Sequence, residues 1–564
     1  MNFKLSFSVF CLAIASCSSV DSQRIHKDKA YESQASFGEV VSSYLKARVA
    51  EQDTLETTAS TYLSALAVQP DTRFLRHKAY AYALATGNMP TAVRLAKTFT
   101  RAEDPGSIAW VLLAANALKE RQYQDALTYI SWAQKITPQL LHFQVMRNQI
   151  ELEQGRSISN ISTELLNFEG HDFLESRKYY HLARMQYRAG AANQAFKNLQ
   201  KAQNLEPGAL FTVLALGEAL EQKGDIEQAQ SIYDSFAHKN PDALLLQHVY
   251  KRLSENKPTP NKKQASLSQD VSEVIFGFSM LMWSQQLDMP ARQLLQIALW
   301  LDNNPLYRFY AGMMDEQADR LAKAINQYNN IPAGGVAGLA AQVRAVEAMF
   351  NSGSPEKAIE HLIQVKKDYP QLVALDQLLA EMYYQQEQYA DSIIYYNTVF
   401  SKLENPYSRE YVPLYFARGA SYERLRQWEK AELDLEQALK LDPDNPSLLN
   451  YLGYMWLDAD MNLDKAFAYI SKAALLKPSD GAVIDSLGWA YFKKGEYTRA
   501  LLYLERAAEL IPTDATVMEH LGDVHSKLGN SEKAQQYWEK AWSLEPAGQF
   551  EQARLAKKLG ISLD

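Results

Sequence analysis

Pro443, Pro478, Pro512 and Pro546 stand 35, 34 and 34 residues apart, and each follows two alanines placed twelve and five residues before it. The alanines are Ala431 and Ala438, Ala466 and Ala473, Ala500 and Ala507, and Ala534 and Ala541, with Gly419, Gly453, Gly488 and Gly522 ahead of each pair. A period of this length accommodates two antiparallel helices of roughly 12 to 14 residues and their turns. Small residues belong where two helices cross too closely for larger side chains. Proline belongs after the second helix because it cannot continue one. In one such unit Leu487, Gly488 and Tyr491 are expected to face Ala500, Leu504 and Ala507, ahead of Pro512.

This pattern resembles the tetratricopeptide repeat (TPR). The second-helix alanine recurs upstream as Ala92, Ala126, Ala195, Ala229, Ala291, Ala324 and Ala358, and Ser392 takes the same place next. The step of 69 residues from Ala126 to Ala195 leaves room for one degenerate unit around Leu152 to Phe168. Counting this way gives about 13 or 14 units over residues 40–564. The expected fold is an all-α TPR solenoid, a superhelix in which each unit contacts only its neighbours and the first helices line a long concave face. Such solenoids bind other proteins. A chain that is 47% hydrophobic with 32 tyrosines suits amphipathic helices packed in pairs, and no strand-like alternation competes.

The period breaks at 257–270, where Lys257, Pro258, Pro260, Lys262 and Lys263 read as a polar linker or insertion. It is expected to separate an N-terminal array, 39–256, from a C-terminal array, 271–564. A smaller interruption at 401–412, with Pro406 and Pro413 nearby, stretches one interval to 39.

Lys4 and the apolar run Leu5 to Ala15 are typical of an export signal and too short to span a bilayer as a mature helix. Ile14-Ala15-Ser16-Cys17 resembles the bacterial lipobox, with isoleucine where leucine is commonest. The resemblance implies removal of residues 1–16 and a diacylglyceryl group on Cys17. The other cysteine, Cys11, leaves with the signal, so no disulfide forms within one mature chain. Several acyl chains hold a protein stably on a membrane. Ser18 and Ser19, rather than aspartate, imply the periplasmic face of the outer membrane. Residues 17–38 are polar and read as a flexible tether that reaches roughly 25 Å.

Charge and motifs narrow the function. Removing residues 1–16, which hold one lysine and no acid, takes the net charge from −8 to −9. No Lys/Arg cluster exceeds a pair, and a phosphate backbone wants a basic face, so nucleic acid is disfavoured as a partner. The chain has no phosphate-binding loop ahead of a helix, no His-Glu-x-x-His and no Gly-x-Ser-x-Gly. The run Gly334-Gly335-Val336-Ala337-Gly338 reads as a turn opening a helix. His520, Asp523 and His525 are the one tight histidine group, but histidines five apart diverge by about 140° around a helix and cannot share a metal. No catalytic residue, cofactor or metal is expected.

In the TPR resemblance, two positions of each first helix point into the groove. They are Phe416, Asn450, Asp485 and Glu519 in one row, and Ala420, Tyr454, Trp489 and Asp523 in the other. TPR domains that clamp a terminal carboxylate place lysine and arginine there, and these rows hold neither. Aromatic anchors between acids suit a protein partner.

The phrases Asn450-Tyr451-Leu452-Gly453-Tyr454, Asp485-Ser486-Leu487-Gly488-Trp489 and Glu519-His520-Leu521-Gly522-Asp523-Val524, ending in Tyr537-Trp538, resemble the C-terminal repeats of large proteobacterial TPR lipoproteins. In length and layout the chain is similar to the adaptor lipoprotein of a periplasmic carboxyl-terminal processing protease. That resemblance implies a non-enzymatic scaffold that activates the protease and delivers cell-wall hydrolases for degradation. Two alternatives stay open: a TPR lipoprotein scaffold for exopolysaccharide export or outer-membrane assembly, and a hydrolase whose acids converge only in three dimensions.

Overall fold

The computed structural model describes residue 42 and residues 45–562, apart from 53, 102–104, 138–139, 171, 240–242, 258, 260–264 and 545–548. The expected signal 1–16, Cys17 and the tether 17–38 lie outside the described residues, as does Pro546. Among the described residues every regular element is a helix. The chain divides into two compact units between Ser354 and Pro355.

The first unit contains α1 (Leu55–Val68), α2 (Arg73–Ala85), α3 (Met89–Ala96), α4 (Ser107–Lys119), α5 (Tyr123–Ile136), α6 (Leu141–Glu153), α7 (Ile158–Leu166), α8 (Asp172–Arg188) and α9 (Ala192–Leu205). It continues with α10 (Leu210–Lys223), α11 (Ile226–Lys239), α12 (Gln247–Ser254), α13 (Leu267–Ser284), α14 (Asp288–Leu301), α15 (Pro305–Gln317), α16 (Leu321–Asn329) and α17 (Gly338–Asn351). The second contains α18 (Pro355–Asp368), α19 (Val373–Gln385), α20 (Tyr389–Lys402), α21 (Val412–Arg424), α22 (Trp428–Leu441) and α23 (Pro446–Asp458). Then come α24 (Leu463–Leu476), α25 (Gly481–Lys493), α26 (Tyr497–Leu510), α27 (Ala515–Lys527), α28 (Ser531–Ser543) and α29 (Gln549–Leu559).

The periodic residues do what their chemistry requires. A residue before proline avoids the helical region, and Asp442, Lys477 and Ile511 end their helices at φ −140°, −133° and −133°. Two residues after each proline an Asn or Asp caps the next helix: Asn445, Asp480 and Asp514 accept hydrogen bonds from the first free backbone N–H groups. Gly495 and Gly529 turn the chain between paired helices at φ +79° and +82°, where a Cβ would be strained.

At the helix crossings the repeated alanines from Ala92 to Ala541 are fully buried. A Cβ on Gly488 would stand 2.7 Å from Leu504 Cγ, and one on Gly453 would stand 2.6 Å from Ile470 Cγ1. Glycine on the first helix thus makes room for the large side chain sixteen or seventeen residues later. Where serine replaces the small residue its hydroxyl is satisfied across the joint: Ser279 donates to Ala291 O at 2.6 Å and Ser392 to Ala380 O at 2.8 Å. In the degenerate unit Ile161 is fully buried, on the short α7.

In the second unit the packed helices are neighbours or next neighbours along the chain. The first unit departs from the expected neighbour-only stack. There α13 packs on α6, and α14 packs on both α2 and α4. Gln293 Nε2 donates to Ala81 O at 3.0 Å, and Lys119 Nζ donates to Trp300 O at 3.0 Å and lies 4.9 Å from the Trp300 ring. Buried Asp270 accepts from Arg184 at 3.0 Å and Arg188 at 2.7 Å, while Arg188 also reaches Gln149 O. One apolar core therefore joins Tyr62, Trp110 and Phe143 to Phe276 and Tyr307.

The stretch 257–270, read as a divider of two arrays, lies inside the first unit. It is helical from Leu267 onward because Ser266 and Gln269 form a reciprocal capping box. The division falls instead between α17 and α18, inside the expected repeat whose second helix carries Ala358.

Candidate protein-binding face

The groove positions that the TPR resemblance implies lie on α21, α23, α25 and α27, the first helices of successive hairpins in the second unit. Their side chains meet along the stack with a spacing of 35 residues. His520 Nδ1 on α27 lies 2.9 Å from Asp485 Oδ1 and 3.0 Å from its Oδ2 on α25. Glu519 accepts from Arg554 Nε and Nη2 at 2.8 Å each, and from Lys558 Nζ at 2.7 Å. Asp523 accepts from Lys558 Nζ at 2.6 Å and from Trp538 Nε1 at 3.0 Å.

The aromatic row is equally engaged. Trp489 is half-buried between His520, with ring centroids 4.0 Å apart and planes at 13°, and Phe492, at 4.5 Å and 8°. Tyr454 approaches His520 at 6.3 Å, and burial followed by the Asp485 charge pushes its phenol far above the ordinary range. Ala420 is buried.

The structure thus joins Tyr454, Asp485, Trp489, Glu519 and Asp523 into one continuous patch. Phe416 and Asn450 stand apart from it: Phe416 packs edge-on against Tyr451 at 4.9 Å, and the Asn450 side-chain oxygen has no partner.

Sequence reasoning missed Arg554, Lys558 and the bridging role of His520. Arg554 and Lys558 project from α29, which packs on α28 and buries Leu555 and Ala556. This helix takes the place of a further first helix, and its cations fall on the acids of α27. The signal was present: Asp485 to His520, Glu519 to Arg554 and Asp523 to Lys558 are each 35 apart. Burial alone would raise the Glu519 carboxyl, but the Arg554 and Lys558 partners hold it below its usual value. Glu519 and Asp523 thus have their charges matched from within the chain by Arg554 and Lys558. His525 turns away from His520 and stacks on Tyr537 at 5.4 Å.

Tetratricopeptide-repeat family profiles match residues 412–445, 483–514, 515–547 and 212–243. Three of these matches lie in the second unit and one in the first. A TPR repeat-containing protein of Pseudomonas aeruginosa is 26% identical over 193 residues, covering 34% of this chain and 32% of that protein. The match therefore spans about a third of the relative's length.

Among solved structures, a tetratricopeptide repeat protein from Parabacteroides merdae is 16% identical with a TM-score of 0.40, covering 45% of this chain and 98% of its own. The Cut9–Hcn1 hetero-tetramer of the APC/C is 15% identical with a TM-score of 0.35, covering 94% and 100%. TPR repeats, on an architecture that is helical throughout the described residues, indicate a scaffold for protein–protein interaction.

Proposed function

We propose that this chain is a non-enzymatic adaptor, held by lipid on Cys17 at the periplasmic face of the outer membrane. Its partners are a carboxyl-terminal processing protease, which it activates, and the cell-wall hydrolases it presents for degradation. The observation that carries a binding role is the continuous patch from Tyr454 to Asp523, in which half-buried Trp489 and Tyr454 keep aromatic surface beside Glu519 and Asp523, whose charges are matched within the chain. Aromatic side chains held rigid by stacking lose little entropy on capture and make effective anchors. The particular partner is supported by the repeat phrases at 450–454, 485–489 and 519–524 and by the lipobox-like Ile14-Ala15-Ser16-Cys17.

Affinity purification of the lipidated chain with mass spectrometry tests the reading. The expected result is co-recovery of a serine protease of the carboxyl-terminal processing type, with faster hydrolase turnover when the purified chain is added. Recovery of polysaccharide-export or outer-membrane assembly components in its place overturns the adaptor assignment. Cys17→Ser is expected to release the protein from membranes. A serine variant that still sediments with outer membrane after a salt wash overturns the anchor.

A further inference from the structure

The first unit carries a partly open cavity of about 380 Å³ beside the place where α13 packs across α6. Its walls are aromatic, with Tyr180, Phe211, Phe276, Trp283 and Tyr310 among them. It is also lined by His142, His181, Arg177 and Glu273, and by Trp283 and Gln317, joined by a 2.8 Å hydrogen bond from Trp283 Nε1 to Gln317 Oε1. Three buried polar atoms on this wall have no protein partner: His142 Nδ1, Arg177 Nε and Glu273 Oε1. Buried polar atoms are nearly always satisfied, so their gathering around one cavity points to a bound group.

Gly277 adds an independent observation. The glycines at the helix crossings are crowded, but a Cβ on Gly277, in the middle of α13 and on the cavity wall, would meet nothing within 4 Å. Glycine is the poorest ordinary residue for a helix interior. Packing does not require it here, and what it leaves open is the cavity.

The charges on the wall already have partners. Arg177 reaches Glu206 at 3.3 Å, and Arg184 lies 3.0 Å from Asp270 and 4.0 Å from Glu273. Burial, followed by the Arg177 charge, pushes His142 down to about 4, and burial lowers His181 as well, so both rings are neutral. A charged ligand would bring an uncompensated charge into apolar surroundings. The Glu273 carboxyl is hydrogen-bonded by Tyr180 and the Arg177 guanidinium by Glu206, which leaves Glu273 Oε1 open to a donor and Arg177 Nε to an acceptor.

We propose that this cavity binds a phenol, a flat neutral ring whose hydroxyl both donates and accepts, supplied either as a free molecule or as a partner's tyrosine side chain. This site is separate from the patch on the second unit and does not rest on the adaptor reading.

Calorimetric titration of the full chain with 4-ethylphenol, 4-ethylanisole and 4-ethylbenzoate tests it. The phenol is expected to bind, and the ether, which cannot donate, to bind roughly tenfold or more weakly. The benzoate is expected to bind more weakly than the phenol. Gly277→Leu should fill the cavity, keep the circular dichroism and melting temperature of the parent, and abolish phenol binding. Glu273→Gln should weaken it. Short peptides with one tyrosine, compared with their phenylalanine versions, separate the two sources: tyrosine-dependent binding identifies a partner's side chain, and binding of the free phenol alone identifies a small molecule. Absence of phenol binding, equal binding of the ether, or undiminished binding by a folded Gly277→Leu protein overturns the proposal.

Discussion

The two units are built from the same hairpin and closed by different means. In the second, each helix packs on its neighbours along the chain, so its stability is close to a sum of local interfaces. In the first, α13 and α14 return to α2, α4 and α6, with Gln293 and Ala81 joined across 212 residues. Loop-closure entropy grows only logarithmically with length, so one set of good contacts can offset so distant a return. The local code of small residues sets the hairpin. Long-range polar and aromatic contacts decide whether a row of hairpins stays open to further neighbours or closes on itself.

The sharpest way to break this contrast is at Asp270, which is 4% exposed and receives both Arg184 and Arg188. Asp270→Asn removes the nearest counter-charge of both guanidinium groups and leaves each one longer pair, Arg184 with Glu273 at 4.0 Å and Arg188 with Glu153 at 3.7 Å. Breaking a buried ion pair costs about 3 kcal/mol at the lower end of its range, the appropriate end because the Arg184 side chain is 31% exposed. Hydrogen exchange should show protection lost from α2 to α15 together, while 355–564 keeps its own. Loss confined to α8 and α13 would mean that the first unit is as modular as the second.

Gly488→Leu is the corresponding injury in the second unit. Its side chain would collide with Leu504 Cγ and the Leu504 backbone nitrogen, and overpacking costs roughly 1–3 kcal/mol. Here the damage should stay with α25, α26 and the helices on either side. Uniform loss across the whole second unit would contradict the neighbour-only description.

Docking of α29 should be weaker still and dependent on pH. Removing the Lys558 ammonium, which is 22% exposed, is expected to cost about 1.5 kcal/mol, the low end for a hydrogen bond to a charged group. Arg554 and Lys558 hold the Glu519 carboxyl below its ordinary 4.5. A depressed carboxyl contributes stability that is fully present above the unfolded value and is lost as pH falls through the folded one. Protease sensitivity of α29 should therefore rise below about pH 4.5. Glu519→Gln should remove that step, and a step that survives the substitution assigns it to another carboxylate.

How much was legible follows the same division between local and distant. The repeated alanines, the glycine joints and the proline stops were read correctly because each is answered within one hairpin: Gly488 by Leu504, Lys477 by Pro478. The rows Asp485, Glu519 and Trp489, Asp523, taken from the TPR resemblance, lie on the first helices α25 and α27. Their state was not legible. Glu519 and Asp523 read as acids facing a protein partner, but Arg554 and Lys558, beyond the last recognisable hairpin, lie on them. Reversing those acids would therefore undock α29 before it altered any partner's approach. The return of α14 to α2 and α4 carried no periodic signal, since Gln293 and Lys119 are ordinary polar residues in any helix. The break at 257–270 was visible as composition, but the division lies between Ser354 and Pro355, in a short Asn-Ser-Gly-Ser-Pro turn that reads like the turn of any other hairpin.

The smallest effect gives the cleanest control on this division. Ser279 in the first unit and Ser392 in the second are both fully buried, and each donates across its joint to a carbonyl oxygen on the paired helix. Alanine restores the periodic residue at Ser392 and is a small residue at Ser279, where the last four repeats carry glycine; at either place it fits the space and removes only the hydroxyl, so each change should cost about 1 kcal/mol. The carbonyls of Ala291 and Ala380 keep their places in helices, so little is left unsatisfied. If the units differ only in their closure, Ser279→Ala and Ser392→Ala should shift the denaturation of their own units by similar amounts, with unchanged dependence on denaturant concentration. A Ser279→Ala loss several times larger than the Ser392→Ala loss would show that the joint within a hairpin is itself coupled to the long-range return of α13 and α14. The two units would then differ in their hairpins as well as in how those hairpins are joined.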